Sequence, residues 1–150
     1  MWILVGLMCL LATGSVLGAE ALYDIRDYGA KADGKTLCTA SIQKTIDECS
    51  KAGGGTVYLP PGVFLSGTIY FKTGVMLKLA AGCTLLGSTD LKDYPVTVPA
   101  LRSYTDNYTD KSLIYGENVE RIAITGEGAI DGQGASFEGP YKVRPYMIRF

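Results

Sequence analysis

From Thr56 onward the chain consists of short β-forming runs separated by glycine, proline and asparagine. Helical periodicity is absent from this part of the sequence, and each run is only a few residues long. The runs are 56–59, 63–65, 68–71, 75–79, 84–86, 113–115, 119–125 and 146–150. Runs of this length and spacing predict either a β-sandwich or a coil of stacked parallel strands.

Two features favour the coil. The runs at 122–125 and 146–150 lie ~25 residues apart, which falls in the repeat range of solenoid proteins. In addition, a single amphipathic helix precedes the strands and has no partner helix. A parallel stack leaves an open end, and a helix laid over that end hides it from solvent. We therefore expect the helix to be an N-terminal cap, and we expect residues 89–110, with their two prolines, to form an excursion between coils.

The predicted helix spans residues 39–51. Ile42, Ile46 and Cys49 recur on one face, and either Thr36 or Thr39 is expected as the N-cap. The glycines at 53–55 end the helix. Upstream we expect a strand at 23–26 and a turn at 32–35.

Residues 1–19 are uncharged and largely apolar, and small residues follow them. This pattern predicts a secretory signal peptide, with a retained membrane anchor as the alternative. Residues 20–150 then form the N-terminal part of one domain, secreted to an extracellular or periplasmic location. With 14 basic and 15 acidic residues, the chain has no electrostatic footprint for nucleic acid.

The three cysteines beyond the leader, Cys38, Cys49 and Cys83, are an odd number. A disulfide scaffold would use more cysteines at closer spacing. The sequence leaves two interpretations open: buried thiols packing as small hydrophobes, or a thiol whose partner lies elsewhere.

Three stretches together resemble glycoside hydrolase family 28, the polygalacturonase-like enzymes of the pectate lyase superfamily. They are DYGAKADG at 27–34, GGGTVYLPPG at 53–62 and ITGEGAIDGQG at 124–134. The first two are shared with other β-helices, so the third points most directly to the hydrolases. In physical terms these motifs set the conformation of the backbone, because glycine permits tight turns and Asp131-Gly132 is a turn dipeptide.

The resemblance implies an all-β, right-handed parallel β-helix with an N-terminal capping helix, truncated after its first coils. It also implies a secreted, monomeric glycosidase that acts on pectic polysaccharide without a cofactor or metal. Inverting hydrolysis would use aspartates ~6.5 to 9.5 Å apart. The family's catalytic motifs are absent from this sequence, which has no histidine, so catalytic residues are expected beyond Phe150 and the 150-residue chain is expected to be inactive.

Two alternatives stay open. A β-helical lyase would need clustered acidic ligands for calcium. A carbohydrate-binding or adhesin-like β-helix would have no catalytic residues at all.

Three residues are candidates for binding or modification. Lys142 and Arg144 could contact the carboxylates of a polyanionic substrate, although solvated surface charge is the alternative. Asn107 lies in a glycosylation sequon, which matters only in a eukaryote; otherwise it belongs to a solvated loop.

Overall fold

A computed structural model describes residues 21–100, 109–139 and 143–150. The predicted leader at 1–19 lies outside these residues. In chain order the elements are β1 (Leu22–Asp24), β2 (Asp33–Leu37), α1 (Thr39–Lys51), β3 (Gly55–Leu59), β4 (Gly62–Ser66), β5 (Ile69–Tyr70), β6 (Val75–Leu79), β7 (Cys83–Gly87), β8 (Ser112–Tyr115), β9 (Ala123–Gly126), β10 (Ala129–Asp131) and β11 (Tyr146–Arg149).

The strands form three parallel sheets that wind around a common core. The first sheet has the order β1-β3-β6-β9, the second β2-β4-β7-β10 and the third β5-β8-β11. Each pass through the three sheets is one coil, and the next coil stacks on it in parallel register. The predicted parallel β-helix is confirmed.

Equivalent inward positions of successive coils carry apolar side chains that stack along the axis. In the first sheet Val57 pairs with Leu77, and in the second Phe64 pairs with Leu85. These four residues are fully buried. The alternation predicted within 75–79 is observed, because Val75, Leu77 and Leu79 face the core while Lys78 is exposed. Burying such side chains supplies ~1.5 to 3 kcal/mol each, so the column is a main source of stability.

Helix α1 takes the place of a fourth strand in the third sheet. It follows β2 at the point where later coils enter the third sheet, and it packs against β3 and β5. The predicted face is confirmed: Ile42, Ile46 and Cys49 are buried. The helix therefore covers the N-terminal edge of the third sheet, while β1 and β2 are the N-terminal edge strands of the other two sheets.

The predicted N-cap is wrong. Cys38 occupies that position, and its side chain does not cap the helix, because the thiol bonds instead to Lys31 and Thr36. Thr39 is already helical, and its hydroxyl instead accepts a 2.7 Å hydrogen bond from the Gly67 amide of the next coil. The Thr36 hydroxyl donates to Asp33 at 2.7 Å and is not available to the helix.

The predicted glycine end of the helix is confirmed. The Gly53 amide donates to the Ser50 carbonyl and the Gly54 amide to the Cys49 carbonyl, both at 3.0 Å. Gly53 and Gly54 have φ of +99° and +109°, a region that favours glycine.

The ~25-residue spacing between two predicted strands, from which we expected a solenoid, is not the repeat length of the coils. The runs 122–125 and 146–150 correspond to β9 and β11, which lie in different sheets of the same coil. Stacked residues such as Val57 and Leu77 are instead separated by roughly 20 residues, the short end of the solenoid range. The excursion between β7 and β8 lengthens the next coil.

Two predicted boundaries near the N-terminus shift because aspartates bond to nearby amides. Strand β1 ends at Asp24, whose carboxylate accepts from the Arg26 amide at 2.9 Å and begins a 3-10 turn. The predicted turn at 32–35 falls mostly within β2, where Asp33 accepts from Lys35 and Thr36 and interrupts the strand register.

Cys38, Cys49 and Cys83 are buried thiols, as the first of the two interpretations expects, and the second, a partner elsewhere, stays a prediction. Burial raises the pKa of Cys83 to about 11, so this thiol stays protonated. In the described part of the chain no helix is long and apolar enough to cross a membrane.

Candidate functional site

The excursion between β7 and β8 is fixed at its base. The Thr97 amide and hydroxyl both donate to the Asp110 carbonyl, at 2.7 and 2.9 Å. Across the same base, Lys111 Nζ donates to the Tyr94 carbonyl at 2.5 Å. The buried Tyr94 hydroxyl donates to Ser88 at 2.6 Å. The part of the excursion from Tyr94 to Ala100 is therefore held beside the third sheet, and we call it the excursion wall.

A cleft of about 440 Å³ lies between this wall and the ends of β8 and β11. Its volume falls within the range of small-molecule sites. The residues that determine its chemistry are Pro99, Ala100, Tyr115, Glu117, Arg149 and Phe150.

A ladder of three polar or aromatic side chains runs along the outer face of the third sheet into the cleft. Tyr70, Tyr115 and Arg149 occupy equivalent register positions on β5, β8 and β11. The residue before each is an isoleucine on the opposite side of the strand, because side chains alternate; Ile69 and Ile114 are buried, and Ile148 is exposed. The rings of Tyr70 and Tyr115 meet edge to face at 5.9 Å. The ladder thus follows the axis of the β-helix.

Glu117 fixes the geometry of the cleft. Its carboxylate accepts hydrogen bonds from the Ala100 amide at 2.7 Å and from the Tyr115 hydroxyl at 2.9 Å. These two bonds, first the one from Ala100, lower the pKa of Glu117, and the positive charge of Arg149 adds to the effect. Burial and the bond to Glu117 raise the pKa of Tyr115. At neutral pH the pair is therefore a neutral phenol and an ionised carboxylate.

Arg149 is the cation of the cleft. Its guanidinium lies 5.4 Å from the Tyr146 ring centroid and donates a long 3.4 Å hydrogen bond to the Thr109 carbonyl. Among the described residues the salt bridges are Arg26–Asp24 and Lys51–Glu48, so Arg149 is not in a close ion pair there. A guanidinium has five donors in a planar fork that matches a carboxylate. The cleft can therefore bind an anionic ligand beside an aromatic ring.

The structure places the predicted site residues differently. Lys142 and Asn107 lie outside the described residues, so both stay predictions. Arg144 is exposed beside a second cavity of about 180 Å³, which Asp131 and Tyr146 also line. Asp131 accepts a 2.8 Å hydrogen bond from the Gln133 amide, which is the turn role that the sequence predicts.

Sequence reasoning missed Tyr115, Glu117 and Arg149. A signal for two of them exists, because Ile69-Tyr70, Ile114-Tyr115 and Ile148-Arg149 repeat an isoleucine followed by a large polar side chain at or next to the end of a run. Glu117 had no such signal, since its role depends on Ala100, which lies 17 positions before it in the chain.

Metal binding finds no support in the described residues, where no three His, Cys, Asp or Glu side chains come together. Several carboxylates of this part of the chain accept hydrogen bonds in turns, and Glu117 is bonded to Ala100 and Tyr115. Within the described residues, the charged groups that line the cleft are Arg149 and Glu117.

Comparison with known proteins finds relatives of this chain among carbohydrate-active proteins. Residues 22–128 match the family described as rhamnogalacturonase A/epimerase, pectate lyase-like. An exo-poly-α-D-galacturonosidase of Dickeya chrysanthemi is 37% identical over 130 residues, which cover 81% of this chain and 21% of that protein.

Two solved structures extend the similarity to three dimensions. The family 28 exopolygalacturonase of Yersinia enterocolitica superposes with a TM-score of 0.69 at 38% identity, covering 77% of this chain and 21% of that one. An exopolygalacturonase of Thermotoga maritima gives a TM-score of 0.70 at 34% identity, covering 77% and 26%. The chain thus spans about a quarter or less of the length of these proteins.

Proposed function

Because the chain belongs to the pectate lyase-like family of rhamnogalacturonase A and epimerases, we propose that the protein is a pectin-acting glycoside hydrolase of the polygalacturonase type. The resemblance to family 28 expected from the sequence is confirmed by these similarities. Inverting hydrolysis, the preference for galacturonan-type linkages and secretion belong to the proposal.

Within this function we assign binding to the described residues. Polygalacturonate carries a carboxylate on each sugar, and a guanidinium is the side chain best matched to a carboxylate. Arg149 is the observation that carries the assignment, because it lines the cleft, is in no close ion pair within the described residues and has Tyr115 beside it. The ladder of Tyr70, Tyr115 and Arg149 runs along the axis of the β-helix, and we propose that the saccharide binds along it.

The chemical step is assigned to carboxylates outside the described residues. Inverting hydrolysis needs an acid and a base facing each other across the glycosidic bond. Glu117 is the carboxylate of the cleft, but Ala100 and Tyr115 both bond to its oxygens and keep it ionised. It is therefore a poor proton donor.

The experiment compares the mobility of the 150-residue chain in native gels that contain polygalacturonate or neutral dextran. We expect retardation by polygalacturonate alone, and no new reducing ends when the chain is incubated with the polymer. Equal mobility in the two gels would overturn the binding assignment. Release of reducing ends above a boiled control would overturn the assignment of catalysis to other residues.

A further inference from the structure

The cleft carries opposite charges on two of its sides. Arg149 lies at the end of β11, and Glu117 lies in the turn that follows β8. The two are close enough for the Arg149 charge to influence the Glu117 carboxylate. A ligand bound in this cleft therefore meets one cation and one anion.

Glu117 cannot easily turn away from such a ligand. Its carboxylate is held by the Ala100 amide on the excursion wall and by the Tyr115 hydroxyl on the sheet. The residues that supply both donors are held in place. Ala100 lies near the base of the excursion, which the Thr97–Asp110 hydrogen bond fixes. Tyr115 lies in β8, which is paired with a strand on each side. A fixed carboxylate is part of the binding surface, and like charges brought near it are disfavoured.

The charges of Arg149 and Glu117 affect how the cleft binds a polymer whose sugars can each carry a carboxylate. If one carboxylate pairs with Arg149, the cleft of about 440 Å³ has room for part of the neighbouring sugar, and Glu117 lines the same cleft. A second carboxylate there would be repelled, whereas an uncharged sugar or a methyl ester would not.

We propose that Glu117 is a specificity-determining residue that makes the cleft select an acidic sugar followed by an uncharged one. The inference rests on the proposed function, because it takes the acidic sugar to be bound by Arg149. The preferred ligand is then a uronic acid saccharide with alternating charge, such as partly esterified galacturonan, over a segment in which every sugar is charged.

The test uses two trimers of galacturonic acid, one fully de-esterified and one with a methyl ester on the central sugar. Calorimetry measures the affinity of the 150-residue chain for each. Glu117→Gln removes the charge. Its amide oxygen can still accept from the Ala100 amide, and its amide nitrogen can donate to the Tyr115 hydroxyl oxygen. Glu120→Gln is the matched control, because it removes the same charge from an exposed residue outside the cleft lining.

The wild-type chain should bind the esterified trimer roughly three- to tenfold more tightly. Glu117→Gln should abolish this preference by improving the affinity for the fully charged trimer, and Glu120→Gln should leave it intact. Added salt should weaken the preference, because charge repulsion near a surface is screened.

The possible failures are distinguishable. If Arg149→Gln binds neither trimer but Glu117→Gln keeps the wild-type ratio of the two affinities, the role of Glu117 is wrong while the binding assignment stands. If neither trimer binds the wild-type chain, or if Arg149→Gln binds both normally, the binding assignment fails and the specificity inference fails with it. Thermal melts of all four proteins identify any variant that does not fold.

Discussion

The Gln43 side-chain amide forms two hydrogen bonds with the backbone of Tyr70. Its Oε1 accepts from the Tyr70 amide at 2.7 Å, and its Nε2 donates to the Tyr70 carbonyl at 3.1 Å. Tyr70 lies on β5, the edge strand of the third sheet. One helical side chain thus supplies the pair of bonds that a neighbouring strand would have supplied, which explains how α1 can replace a strand.

The first prediction concerns this replacement. Gln43→Ala leaves both backbone groups of Tyr70 without their partner, and we expect the free energy of unfolding to fall by about 1 to 3 kcal/mol. Urea denaturation measures the change. Lys44→Ala is the matched control on the exposed face, and a loss of stability equal to that of Gln43→Ala would contradict the role of the amide.

The second prediction concerns the buried face of α1. Ile46→Asp places a carboxylate among fully buried apolar side chains, which should cost more than about 3 kcal/mol because an unpaired buried charge is poorly tolerated. Lys44→Asp should cost less than about 1 kcal/mol, since Lys44 is exposed and makes only a distant contact with the Tyr28 ring. Comparable costs would mean that the helix face is wrongly assigned.

The third prediction separates backbone strain from steric conflict in the glycine run. A Cβ on Gly54 would lie 2.5 Å from the Gly74 carbonyl oxygen, whereas a Cβ on Gly53 would meet nothing within 4 Å. Gly53→Ala should therefore cost about 1 to 2 kcal/mol from its positive φ alone. Gly54→Ala should cost at least about 3 kcal/mol. Equal melting temperatures for the two variants would refute the close approach of the coils at Gly74.

The fourth prediction concerns acid stability. Hydrogen bonds from Thr36 and Lys35 lower the pKa of Asp33 from 3.8 to about 2. The ionised carboxylate stabilises the folded state, so its contribution is complete above the ordinary pKa and is lost as the pH falls toward 2. Asp33→Asn should make the stability less dependent on pH in that interval, as followed by chemical denaturation. An unchanged pH dependence would show that Asp33 does not contribute.

The sequence predicted those parts of the fold that depend on local pattern. The buried face of α1, its glycine end and the strand at 75–79 follow from periodicity and from the conformational freedom of glycine. The N-cap was wrong because Thr39 bonds to Gly67, and the repeat length was wrong because β9 and β11 belong to one coil. Both errors concern where distant segments lie in the stack of coils, which a local pattern does not encode.

The cleft was harder to predict from the sequence than the fold. Glu117 acquires its role from Ala100, and Arg149 acquires its role from stacking above Tyr115 on the preceding coil. Sequence reasoning sought cations on the loop before the last strand, at Lys142 and Arg144. It did not consider the strand itself, because Arg149 falls within a run that otherwise indicates β-structure.

The central claim is that Arg149 binds the carboxylate of an acidic saccharide. Calorimetric titration of the fully de-esterified galacturonic acid trimer into wild-type chain, Arg149→Gln and Lys78→Gln tests it most directly, because Lys78 is an exposed cation on the first sheet, outside the cleft lining. The account predicts at least about a tenfold loss of affinity in Arg149→Gln, since a bidentate charged hydrogen bond is removed, and wild-type affinity in Lys78→Gln. Binding by Arg149→Gln as tight as that of the wild-type chain would contradict it.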